Sequence, residues 1–157
     1  MAHAHLATMP ERIATGAYIV SSGLSKLQAE KETADGLHSM AATVYPVLEK
    51  TEPARFAKGL GLAETVLGGA LLLPMVGDGV AGFALAAFSG GLLGLYLKTP
   101  GMRREGSLRP TERGTPFAKD VWLLGIGLSL MVNAARARSS RRSARRRARA
   151  ATAGSRA

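Results

Sequence analysis

Cysteine is absent from this chain, which excludes disulfides, thiol catalysis and Cys-ligated zinc or iron–sulfur centres. Histidine is scarce. His3 and His5 lie in residues 1–9, read as a disordered lead-in, and His38 stands alone. Three histidines so placed do not make a haem or di-metal site. Also missing are an HExxH pair, a phosphate-binding glycine loop followed by Lys-Ser/Thr, and a Gly-x-Ser-x-Gly elbow. No catalytic residue and no metal site is therefore expected. The N-terminus has no basic segment, apolar core and cleavage site in series, so entry into a membrane would fall to the chain's own helices.

The middle of the chain lacks charge. From Gly59 to Leu97 only Glu64 and Asp78 are charged, and Asp78, in the turn Gly77-Asp78-Gly79, separates two apolar arms of nineteen residues each. Crossing ~30 Å of hydrocarbon takes about 20 helical residues, so each arm is about one crossing long. The second arm carries polar side-chain groups only at Ser89 and Tyr96. A surface helix of a small soluble domain would show a charged stripe. The competing interpretation is a buried helical hairpin in a soluble protein.

Two further runs complete the pattern. Ile13 to Ser25 is uncharged between Arg12 and Lys26; short for a crossing, it spans if both charges snorkel to the interfaces or the bilayer thins. Val121 to Ala135 is uncharged after Lys119-Asp120, and Trp122 with Lys119 suits a helix entering the membrane interface. Between the first two spans, Leu37, Met40, Ala41, Val44, Tyr45 and Leu48 fall on one face of a helix over Leu37 to Lys50, bent or ended near Pro46. That segment reads as interfacial. Lys98 to Ala118, rich in Pro, Gly, Thr and Arg, reads as an exposed loop.

The expected fold is all-α: a four-helix transmembrane bundle over residues 10–135, with spans about 11–27, 57–77, 79–98 and 119–135, a short interfacial helix between helices 1 and 2, and a disordered basic tail over 136–157. Small residues four apart, Gly61/Thr65, Gly90/Gly94 and Gly125/Ser129, are expected to let helix backbones approach closely.

Four spans place both termini on one side. Of the 21 Lys and Arg, eleven fall on the loop side and ten on the terminal side. The density of the tail tips this near balance towards a multi-pass cell-membrane protein with both termini cytoplasmic. The tail also explains the net charge of +10: it holds nine arginines and no acid, against 12 basic and 11 acidic residues elsewhere. Arg136, Arg138, Arg141, Arg142, Arg145, Arg146, Arg147 and Arg149 are the candidates for contact with anionic lipid head groups, at about 1 kcal/mol of attraction each. Counterion release on nucleic acid is the alternative for such a run, but the tail has no aromatic residue for base stacking.

Glu64 is the outlying group of the apolar stretch. A comparable Asp at the centre of a spanning helix costs about 2.5–3.5 kcal/mol, and such groups face a partner or a cavity. The topology puts the end of the first helix and the starts of the second and fourth on the loop side, so Lys26, Glu64, Lys119 and Asp120 lie towards one face. They make either a polar ligand-binding pocket opening there or a structural ion pair that fixes helix register.

The pattern resembles the DoxX-like family of small four-helix membrane proteins. The matching residues are Ser22-Gly23-Leu24-Ser25-Lys26-Leu27, Tyr45-Pro46, Gly61-Leu62-Ala63-Glu64 followed by Gly68-Gly69-Ala70-Leu71-Leu72-Leu73, and Lys119-Asp120 opening the last helix. The resemblance covers residues 11–134 and leaves the arginine tail outside. It implies a bundle associated, in some members, with quinone-dependent or redox-defence membrane complexes. Disulfide exchange, known in relatives of this architecture, is excluded by the missing cysteines. The leading expectation is a non-catalytic accessory subunit of a membrane oxidoreductase. The second is a bundle that binds a quinone or other small molecule on the Lys26/Glu64/Asp120 face. The third is a soluble basic nucleic-acid-binding helical protein.

Overall fold

The computed structural model describes residues 7–154, with side chains through residue 144. The described residues are all-helical and contain no strand: α1 spans Met9–Leu27, α2 Lys31–Val44, α3 Pro53–Leu72, α4 Asp78–Lys98, the single turn α5 Thr115–Ala118, and α6 Asp120–Gly154. A 3-10 turn, Pro46–Leu48, follows α2.

Proline sets several of these boundaries. Pro10, Pro53 and Pro116 sit in first turns, where a missing N–H costs no helical hydrogen bond. Tyr45 and Leu73 each precede a proline, which disfavours the helical region, so α2 stops at Val44 and α3 at Leu72. The first apolar arm therefore does not run to Gly77 as a helix. The connection is Leu73 to Gly77, and Asp78 opens α4 instead of sitting in a turn. The interfacial segment likewise begins earlier than Leu37, at Lys31.

The tail departs most from expectation. Read as disordered, it continues α6 without a break from Arg136 to Gly154. Alanine and arginine are among the best helix formers, and no Gly or Pro interrupts the run before Gly154. His3 and His5 lie outside the described residues. Thr8 does not behave as part of a disordered lead-in: it is buried and donates from Oγ1 to Asp78 Oδ2 at 3.2 Å.

The helices pack as two antiparallel pairs, α1 with α3 and α4 with α6, with fewer contacts between the pairs. Each pair has a seam of residues alternating three and four apart. On α1 it runs Arg12, Gly16, Ile19, Gly23, Lys26, and on α3 Ala57, Gly61, Glu64, Gly68, Leu71. A repeat of seven keeps one stripe facing the partner along its length. Glycines cross at two levels. A Cβ on Gly16 would lie 2.9 Å from the Gly68 carbonyl oxygen, and one on Gly23 would lie 2.6 Å from that of Gly61. In the other pair Gly82 faces Gly127, and Gly79 faces Ala134. Of the small residues expected to bring backbones together, Gly61 does so, whereas Gly90 and Gly125 face open space and Gly94 lies against the Tyr45 ring. The pairs share a core of Ile19, Leu67, Leu71, Ala81, Leu85 and Leu130.

Among the described residues two helical stretches are long and apolar enough to cross a membrane, Asp78–Lys98 and Thr115–Ala144. Helices α1 and α3 each carry three charged residues, Glu11, Arg12 and Lys26 on one and Arg55, Lys58 and Glu64 on the other.

Candidate ligand cavity between the helix pairs

Lys26 and Glu64 meet across the α1–α3 seam. Lys26 Nζ donates to Glu64 Oε2 at 2.8 Å and to Ser22 Oγ, one turn back on α1, at 2.7 Å. The Glu64 residue is 4% exposed, so its charge is held away from bulk water and depends on this partner. The Gly23–Gly61 crossing lies one turn from each of the two residues, and its close backbone approach brings a lysine within reach of a carboxylate on the facing helix.

The pair lies on the wall of a cavity of about 280 Å³ between the helix pairs. Asp120, the first residue of α6, lines it from the other side and is close enough to feel the charges of both Glu64 and Lys26. The rest of the wall is apolar: Ile19, Leu60, Leu92, Leu95 and Leu123 from the long helices, Leu37 and Met40 from α2, and the rings of Tyr18, Phe56, Phe88 and Phe117. Helix α2 closes one flank. His38 stacks edge-on against Phe56 at 5.7 Å and its Nε2 lies 2.9 Å from the Leu48 carbonyl. Tyr45 donates to the Gly91 carbonyl of α4 at 2.8 Å.

Three of the four residues expected at this face, Lys26, Glu64 and Asp120, come together. Lys119 does not: it is exposed and does not line the cavity. Of the tail arginines, Arg136, Arg138 and Arg141 line a surface groove with Gly77, Asp78 and Gly79 at the opposite end of the helices. Arg142 is exposed. The side chains of Arg145, Arg146, Arg147 and Arg149 lie outside the described residues.

Sequence reasoning missed a second polar cluster, at that opposite end. Arg12, expected to snorkel to an interface, is completely buried. Its Nε and Nη groups donate to the carbonyls of Ala70, Leu71, Leu73 and Val76 at 2.9–3.0 Å, and Nη1 also donates to Asp78 Oδ1 at 2.6 Å. Those five contacts match the five N–H donors of a guanidinium. Those to Ala70, Leu71 and Leu73 satisfy carbonyls that the end of α3 leaves without helical partners. The usable signal was the pairing of one arginine with an aspartate just past a Leu-Leu-Leu-Pro helix stop.

Among the described residues no group of three or more His, Asp or Glu could hold a metal ion. The polar side chains lining the cavity are the Ser22 hydroxyl, which accepts from Lys26, the Tyr18 phenol, the Lys26 ammonium and two carboxylates. No family model matches the chain, and neither a curated protein nor a solved structure matches it.

Proposed function

We propose that this is an integral membrane protein whose helices α1, α3, α4 and α6 form a transmembrane bundle, and that it binds a small amphipathic molecule in the cavity beside Lys26, Glu64 and Asp120. The observation that carries the binding function is a largely apolar chamber with a cluster of charges on one wall. Ligand sites have this composition, with a few polar groups fixing orientation within an apolar surround. At 280 Å³ the chamber holds a ring-sized group, with any longer chain leaving between the helices.

The membrane setting is supported by the outer surface. Ile13, Tyr18 and Leu24 on α1, Leu62 and Val66 on α3, Val80 and Phe83 on α4, and Trp122, Leu128 and Val132 on α6 are all exposed. Only 28% of the most apolar window of α4 is buried within the chain, where a soluble core helix would be mostly covered. Lipid accounts for such faces on all four helices. The same faces weigh against a soluble nucleic-acid-binding protein. Both termini are placed on the cytoplasmic side, with the basic extension of α6, through the weight of its arginines.

The DoxX-like resemblance supports a second reading, in which the bundle is an accessory subunit of a quinone-linked oxidoreductase and the exposed apolar faces meet a partner subunit instead of lipid alone. The two readings are compatible if the molecule in the cavity is the quinone of such a complex.

Purification in mild detergent followed by native mass spectrometry tests the proposal. The protein should leave the membrane pellet with detergent and not with high salt, and should carry a small-molecule adduct. Leu92→Trp, which fills the cavity, should abolish the adduct while leaving the fold intact. Release by salt alone, or an adduct indifferent to Leu92→Trp, refutes it.

A further inference from the structure

Resting on the reading that the cavity takes a small molecule, we propose that its ligand is a lipophilic monocation, an ammonium group carried on an apolar or aromatic body.

Charge is the first argument. Lys26 is committed to Glu64 at 2.8 Å and to Ser22 at 2.7 Å. Asp120 stands across the cavity with no hydrogen bond or ion pair to any described residue, and is half-buried. With both carboxylates ionised, one ammonium faces two of them and the chamber carries one surplus negative charge. A neutral occupant would strip water from Asp120 and supply no counter-charge, at the cost of desolvating an ion. An anionic occupant would meet two carboxylates against one ammonium that is already paired. A single positive charge restores balance.

The lining is the second argument. Three of the chain's four phenylalanines, Phe56, Phe88 and Phe117, line this one cavity. Aromatic faces attract cations through the ring quadrupole, more strongly when the cation is desolvated, and this is a usual way of holding quaternary ammonium groups. Aliphatic side chains would serve a neutral apolar ligand equally well. Concentrating the rings around a cavity that also holds an uncompensated carboxylate favours a cation.

The probe is benzyltrimethylammonium, small enough for a 280 Å³ chamber, titrated calorimetrically into the protein in zwitterionic nanodiscs. A short-chain benzoquinone is titrated in parallel. Wild type should bind the cation, and Asp120→Asn should weaken it about tenfold or more, the loss of one charge-assisted contact. Asp120 has no partner whose loss would unfold the protein, so this variant is expected to fold as wild type does. Phe88→Leu provides a second lever and should weaken the cation several-fold without touching any charge. Quinone binding, if present, should be indifferent to Asp120→Asn. Cation binding that is equal in wild type and Asp120→Asn overturns the inference. So does quinone binding without cation binding, although the cavity then stands as a ligand site. If neither probe binds, the inference and the reading beneath it both fall.

Discussion

Arg12 and Asp78, 66 residues apart in sequence, are joined by a 2.6 Å contact in which the two side chains are 1% and 8% exposed. The bond ties the start of α1 to the start of α4, and the other guanidinium donors hold the end of α3. Three helices therefore meet on one side chain.

Removing that side chain should be the most damaging single change in the protein. Arg12→Met leaves a buried carboxylate and four carbonyls short of a donor, and breaking a buried pair typically costs about 3–5 kcal/mol. Arg12→Lys should recover only part of this, because an ammonium has three donors where the site uses five. Unfolding in mixed micelles should order the variants as wild type, Arg12→Lys, Arg12→Met.

Glycine substitutions should divide by face. A Cβ on Gly68 would lie 2.7 Å from the Gly16 carbonyl oxygen and 2.7 Å from the Val20 amide nitrogen, both of them backbone atoms. Gly68→Ala should therefore destabilise by about 1–3 kcal/mol through overpacking. Gly69→Ala, one residue on and with nothing within 4 Å, should be neutral or stabilising by about 0.5–1 kcal/mol, the helix preference of alanine over glycine. Equal effects at both positions in thermal unfolding would mean that the α1–α3 contact is misplaced.

The Lys26–Glu64 pair should show strong coupling in a double-mutant cycle. Lys26→Met strands a buried Glu64 and Glu64→Leu strands a half-buried Lys26, so each single change should cost more than the Lys26→Met/Glu64→Leu double, which strands neither. Unfolding free energies of the four proteins give the coupling, and a value near zero would show that the pair is solvated.

Truncation after Ala135 should remove helix. The segment from Arg136 to Gly154 is helical in the intact chain, so ellipticity per molecule should fall in proportion to the residues lost. An unchanged signal per molecule would return the tail to disorder.

The helical class and the convergence of Lys26, Glu64 and Asp120 were legible because both follow from counting. Uncharged runs of helical length alternate with polar connections, and alternation sends the ends of α1 and the starts of α3 and α6 the same way. Arg12 was not legible. An arginine bracketing a short apolar run looks like an interfacial anchor, and only the position of Asp78 and the early stop of α3 at Leu72 turn it inward. The packing seam was misread for a different reason. Small residues four apart mark one turn of one helix, whereas Gly16 with Gly23 and Gly61 with Gly68 are seven apart on two helices. That spacing registers only when both strings are read in opposite directions.

The position of the Arg12 clasp gives the molecule a direction. Strong bonds pin the two helical leaves at the end where Arg12 meets Asp78, while at the far end a hollow separates Glu64 from Asp120 and no bond bridges it among the described residues. The clasp and the hollow thus lie at opposite ends of one lever, with a single guanidinium about 21 Å from Lys26 along α1, fourteen residues at 1.5 Å each.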